Sequence, residues 1–486
     1  MTPPPTDRVA QVSLLRPGRH LLPVLSFTLL ALNACRSHDF PQYPANYREY
    51  AYVTNGGSAT VTVLDVVNIR VDRELPVGPN PVAVIASPTL NEVYVVNSGA
   101  EKSDGSVSVI NAENNTVAAT IAVHRRPESI DLAADGSLAY VTNSGSNTVS
   151  VLDLGTMRIA STLVTGNNPT GVTASPTKDE VYVVNTDSGT VSVIDVVSNQ
   201  VVGSMNVGRT PYTISVSSDG KRGWVANAGS NTVTALDLDA HRALGHVSVG
   251  RQPGIARVSG DGKFVAVANR GDDSLTLIDG TTMKVRGTVH VCKAPDSLVI
   301  LPDASKAVVG CSGSQQVATV NLKSGLVEAL LRVGGTPVDL GMKPDGGEVF
   351  VSNYEAQTIS AVSPYTDEVS ESFLAGDHPV RSLVSGDNGT LYVSNFASNS
   401  VAVFDATTRK LITTVQVGSS PGALALSPGE TMLLVADSGS GDVAVLLLNK
   451  RKDKKVQAPP PRLFLMIPTG AKPSDIAVKA TSRIAR

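Results

Sequence analysis

Between residues 169 and 209 apolar and polar positions fall into four short runs: "PTGVTASP", "DEVYVVN", "GTVSVIDV" and "NQVVGSMNVG". The third alternates strictly with period two, and all four are too short for helices, so each predicts a β-strand. Turn residues separate them. The first turn of a unit usually contains Asp-Gly, as at Asp135-Gly136, Asp219-Gly220, Asp261-Gly262 and Asp345-Gly346. Glycine takes a positive φ without steric cost, so these pairs predict tight hairpins. The unit reads as four antiparallel strands.

The unit recurs along the chain. "YVTN" (52–55, 140–143), "YVVN" (94–97, 182–185), "WVAN" (224–227), "FVSN" (350–353) and "YVSN" (392–395) occupy one place in it. The closing asparagines are Asn55, Asn97, Asn143, Asn185, Asn227, Asn269, Asn353 and Asn395, mostly 42 residues apart, with Cys311 and Asp437 standing where two further ones are due. That makes ten copies. Four short strands in about 42 residues is the period of a propeller blade, whereas ankyrin and tetratricopeptide repeats require helices. The expected fold class is an all-β propeller of four-stranded antiparallel blades.

These "YVTN" segments, the "VG..P" loops and the "SV.VID" strands resemble the YVTN β-propeller repeats of archaeal surface-layer proteins and many exported bacterial proteins. The resemblance covers roughly residues 50–480. It implies the propeller fold but no particular reaction, because such propellers host many functions. The tryptophan-aspartate signature of WD40 repeats is missing, and Trp224 takes the tyrosine place of its copy. Seven blades are usual for the family, so ten repeats depart from it.

The repeat opens on a second strand, "EYAYVTN" (49–55), and closes on a first strand after "GAKP", within 470–479. Each end supplies what the other lacks. A single closed ring is therefore expected, with the C-terminal strand completing the N-terminal blade and leaving no open edge.

Composition sharpens this picture in two respects. The 486 residues include 42 glycines and 29 prolines with only 4% aromatics, which suits many short strands. A net charge of −3 gives no field to gather nucleic acid, so none is expected as a partner.

Residues 1–34 read as a signal peptide: Arg8, Arg16 and Arg19 precede the apolar run "LLPVLSFTLLALNAC". The end of that run, "LNAC", resembles the bacterial lipobox, which implies lipidation at Cys35. Residues 35–48 would then be a lipidated tether, 49–480 the propeller and 481–486 a tail. A membrane-anchored lipoprotein facing the periplasm or the cell surface is expected, held by its N-terminal lipid.

Candidate chemistry lies on the rim shared by the "VG..P" loops and the loops after the asparagines. Asn97 is a candidate together with the loop after it, which is four residues longer than its siblings and carries Glu101, Lys102 and Asp104. Other departures from the plain repeat are Arg125, Arg126, Arg209, Arg251, Arg270, Tyr354, His378 and Phe396. Elaborated loops on a regular scaffold are where binding residues concentrate. The first strands should line a channel, with Glu128, Asp131, Asp296, Asp339 and Asp475 near its mouth and Arg257 and Arg381 of opposite sign. Such carboxylates either act as acid, base or cation ligands or keep the channel wet. No catalytic set, metal-ligand spacing or cofactor signature appears: Cys-x-x-Cys, the haem-attachment motif and the "HE..H" pattern are all missing.

Cys292 and Cys311 replace the glycine of a "VG..P" loop and the asparagine of the same copy, with the 19-residue interval that separates Gly208 from Asn227 and Gly250 from Asn269. The pair is expected to form a disulfide, substituting for an asparagine bond to the glycine loop, in an oxidising compartment. The last copy also carries a cationic loop, 449–461, on the face opposite the rim.

The functional expectation is an exported, monomeric binding or scaffolding module at the cell envelope, recognising an envelope protein or glycan through its rim. The alternative is a lyase- or lactonase-type propeller enzyme using channel carboxylates and a rim histidine, His124 or His378.

Overall fold

A computed structural model describes residues 43–44, 46–448 and 459–482. Cys35, the segment expected to be a signal peptide and residues 449–458 of the cationic loop lie outside the described residues.

Forty strands form ten four-stranded antiparallel sheets, the blades of one ring. In blade 4, Pro169–Ala174 is innermost, followed outward by Glu180–Asn185, Thr190–Asp195 and Gln200–Asn206. The second strand is buried on both faces, with Val181, Tyr182, Val183 and Val184 all inaccessible. Double burial explains why that run is continuously apolar instead of alternating. The outer strand exposes most of its residues and carries the mixed sequence of a solvated edge.

The core is distributed between consecutive blades. Tyr182, Val184, Val191 and Val193 of blade 4 pack on Ile214, Val225 and Leu236 of blade 5. Trp224 fills the tyrosine place in blade 5 and packs on Val265 and Val267 of blade 6. On the face opposite the rim, the residue opening a second strand ties to a turn of the next blade. Glu180 Oε1 meets His241 Nε2 at 2.6 Å, Lys306 Nζ meets Asp367 Oδ2 at 2.6 Å, and Glu348 Oε1 meets Arg409 Nη2 at 2.5 Å.

Blade 1 is built from both ends of the repeat. Tyr47–Asn55 pairs with Thr60–Asp65 on one side and with Pro473–Ser482 on the other, with Tyr52 opposite Ala477 and Tyr47 opposite Ser482. The ring therefore closes without an unpaired edge at the seam.

Candidate functional site

The loop that leads into each inner strand hydrogen-bonds the loop that follows the second strand. Ser144 N–H donates to Arg126 O (3.0 Å) and Gly145 N–H to Arg125 O (3.1 Å), with equivalent pairs at Ser98 and Asn80 and at Phe396 and His378. Both loops therefore share one rim.

The conserved geometry of that rim depends on the glycine and asparagine. A Cβ on Gly208 would stand 2.6 Å from the Asn227 Cβ, and one on Gly250 would stand 2.7 Å from that of Asn269. Glycine is required there by close approach. The expected asparagine bond to the glycine loop is not the main one: the amide donates to hydroxyls of the third strand. Asn185 Nδ2 reaches Thr190 Oγ1 and Ser192 Oγ, both at 3.0 Å. Asn97 is part of this buried device, donating to Ser106 and Ser108 at 3.0 Å, so it is not an exposed rim residue. Sequence reading placed it on the surface because it borders the long loop.

The other rim residues are accessible. Glu101, Lys102 and Asp104 are exposed, and Lys102 has φ +66°. Part of the insertion extends the hairpin, placing Asp104 opposite Arg125. Arg126 Nη2 meets Glu128 Oε1 at 3.1 Å, and Ser144 Oγ donates to the same oxygen at 2.7 Å. Arg251 is ion-paired with Asp272, whose carboxyl is held below the usual carboxylate range by that bond. Arg209 lines a shallow rim cavity of about 670 Å³ together with Asp187, Ser230 and His246. Arg270 Nε lies 4.0 Å from Asp296, which also accepts the Ser312 hydroxyl.

One rim sector is aromatic. The Tyr354 and His378 rings meet edge to face with centroids 4.3 Å apart. His378 Nδ1 lies 2.8 Å from Asp377 Oδ1, and Phe396, whose N–H donates to His378 O, is 40% exposed. Glu355, whose carboxyl is held below the usual range by the Thr336 side chain and then by the Thr336 N–H, borders the group.

The channel acids do not converge. Asp131 Oδ2 accepts Ala174 N–H at 2.9 Å, Asp339 Oδ2 accepts Ser382 N–H at 2.8 Å, and Asp475 Oδ2 accepts Val84 N–H at 3.2 Å. Each satisfies an amide on the free edge of the next blade's inner strand, a need that sequence reading did not consider. Arg381 Nη1 stands 3.8 Å from Asp339, and Arg257 is exposed. Among the described residues no three His, Cys, Asp or Glu side chains are grouped to hold a metal ion.

Cys292 and Cys311 are joined by a disulfide, with Cα atoms 5.6 Å apart. Both are buried, and the bond leaves neither sulfur as a free thiol ligand or nucleophile. Sequence reading reached Asp437 as the tenth asparagine equivalent but missed its partner: Asp442 sits directly opposite it in the register. The signal was available, since a serine or threonine stands at that place in blades 4 and 5.

Comparison with known proteins agrees with a propeller of YVTN type. The family described as "Lactonase, 7-bladed beta-propeller" matches residues 142–254 and 346–457, and this ring has ten blades. "Uncharacterized protein YncE" of Salmonella typhi is 34% identical over 98 residues, which is 20% of this chain. The match spans about a quarter of that relative, 26% of its length. Among solved structures, dihydro-heme d1 dehydrogenase NirN in complex with DHE has a TM-score of 0.48 at 16% identity, covering 71% of this chain and 76% of that one. Hydrazine synthase of Kuenenia stuttgartiensis has a TM-score of 0.39 at 21% identity, covering 58% and 96%.

Proposed function

We propose that the protein is an exported, lipid-anchored binding module of the cell envelope that recognises a protein or glycan partner through its rim. The observation that carries this reading is the aromatic sector: Tyr354 and Phe396 occupy a place where other blades have Ser144, Thr186 or Ala228. Tyr354 is half-buried and Phe396 exposed, and accessible aromatic side chains are enriched at the cores of interfaces. The disulfide of blade 7 accords with export to an oxidising compartment.

A hydrolase is the second reading, and it rests on the lactonase-family match. Against it, Asp131, Asp339 and Asp475 are each committed to a backbone amide of the neighbouring blade.

Cross-linking in native envelopes tests the first reading, comparing the intact protein with Tyr354→Ala/Phe396→Ala and with a variant shortened in the loop after Asn97. Loss of specific partners from the aromatic variant is the expected result. An unchanged partner set in both variants, or turnover of lactones by the purified protein, would overturn it.

A further inference from the structure

Blade 10 breaks the polar pattern kept by the eight blades that carry the asparagine. Elsewhere the second-strand asparagine is a donor and the third strand offers hydroxyls, as when Asn227 Nδ2 reaches Thr232 Oγ1 at 3.1 Å and Thr234 Oγ1 at 2.9 Å. In blade 10 the three places hold Asp437, Asp442 and Ala444. The two aspartates are directly opposed on paired strands, and Asp437 is fully buried. Asp437 Oδ2 accepts the Gly418 N–H at 3.0 Å, while the buried Oδ1 atoms of both residues lack any donor. Two carboxylates facing each other with no side-chain donor between them cannot both be ionised at low cost.

We propose that Asp437 and Asp442 share a single proton and form a pH-operated latch that fastens the Gly418 loop to blade 10. The proton supplies the donor that the asparagine amide supplies elsewhere. Its loss sets the buried charge of Asp437 against that of half-buried Asp442 and loosens the loop between blades 9 and 10.

Among the described residues, the charged groups on the neighbouring strands packed against the first two strands of blade 10 are engaged elsewhere: Arg381 lies beside Asp339, Asp475 accepts the Val84 N–H and Lys479 donates to Ser87 O. The segments that close over it, 417–420, 438–441 and 469–470, consist of Val417, Gly418, Ser419, Ser420, Ser438, Gly439, Ser440, Gly441, Thr469 and Gly470. On the four strands of blade 10 the remaining ionisable residue is Arg462, at the far end beside Leu447. Burial, with Asp442 adding to it, pushes Asp437 up to about 8. An unfolded aspartate titrates near 3.9. Between those values the folded state binds more protons than the unfolded one, so this contribution is complete below about pH 4 and is lost as pH rises towards about 8.

The test compares thermal unfolding of the lipid-free protein with that of Asp437→Asn/Asp442→Ser, which restores the pattern of the other blades, between about pH 5 and 9. The intact protein's midpoint should fall over this interval, and the variant's should fall less. Parallel slopes overturn the proposal. So does a calcium-dependent rise of the wild-type midpoint that chelator reverses, because the pair would then hold a cation instead. Should the variant not fold, infrared spectroscopy of the wild type decides. A protonated carboxylic-acid band at neutral pH that vanishes by about pH 9 is expected, and its absence at neutral pH overturns the latch.

Discussion

Asp475 Oδ2 accepts the Val84 N–H at 3.2 Å, so the strand that completes blade 1 also holds the free edge of the inner strand of blade 2. Asp475→Ala should lower stability by about 1–3 kcal/mol, the range for losing a charged partner of a buried amide. Asp475→Asn, which keeps an acceptor, should lose less. Urea unfolding measures both. Deleting residues 470–482 should do more, exposing the whole edge of Tyr47–Asn55 and producing oligomers on size-exclusion chromatography.

The bond between Cys292 and Cys311 closes a loop with a sequence separation of 19. Cys292→Ser/Cys311→Ser should lose roughly 3 kcal/mol on the chain-entropy account. Cys292→Gly/Cys311→Asn, which writes the repeat's own pair back into blade 7, should recover part of that. Denaturant midpoints under oxidising conditions separate the two variants.

Glu348 is 4% exposed and accepts from Lys343 Nζ at 2.8 Å and Arg409 Nε at 2.8 Å. Glu348→Ala strands two cations between blades 8 and 9. The cost should be about 3 kcal/mol, the lower end for breaking a buried pair, because Arg409 keeps some access to water. Glu348→Met with Arg409→Leu should be less damaging than Glu348→Ala, and differential scanning calorimetry decides.

Cys35→Ser should shift the protein from the membrane fraction to the soluble fraction of the envelope. Retention in the membrane fraction after a salt and carbonate wash would argue against lipid at that residue.

The fold was largely legible because every blade repeats the same solution to the same problem. Val181 to Val184 read as a strand, and Asp219-Gly220 as the turn before the equivalent strand of blade 5, with Gly220 at φ +69°. Ring closure was legible because the two ends were complementary parts of one unit. The polar ties were not. Asp131 and Asp339 look like channel acids along the chain, since nothing local reveals that an amide 43 residues later lacks a partner. Asn97 looked exposed for a similar reason: its hydroxyl partners lie across a hairpin that the insertion lengthened. The Tyr354–His378 contact joins consecutive blades, and side-chain geometry across that boundary has no signature in the spacing.

The pairing of Tyr47–Asn55 with Pro473–Ser482 also imposes an order of events. The first strand to emerge waits for the last, across more than 400 residues of intervening chain. Contacts so distant form slowly, and an unpaired strand is vulnerable to aggregation while it waits. As the chain emerges, blades 2 to 10 can stack pairwise, whereas blade 1 stays a three-stranded intermediate until the end. A chaperone that binds unpaired strands would act on that intermediate, and variants that weaken the seam should reduce yield before they reduce the stability of the finished ring.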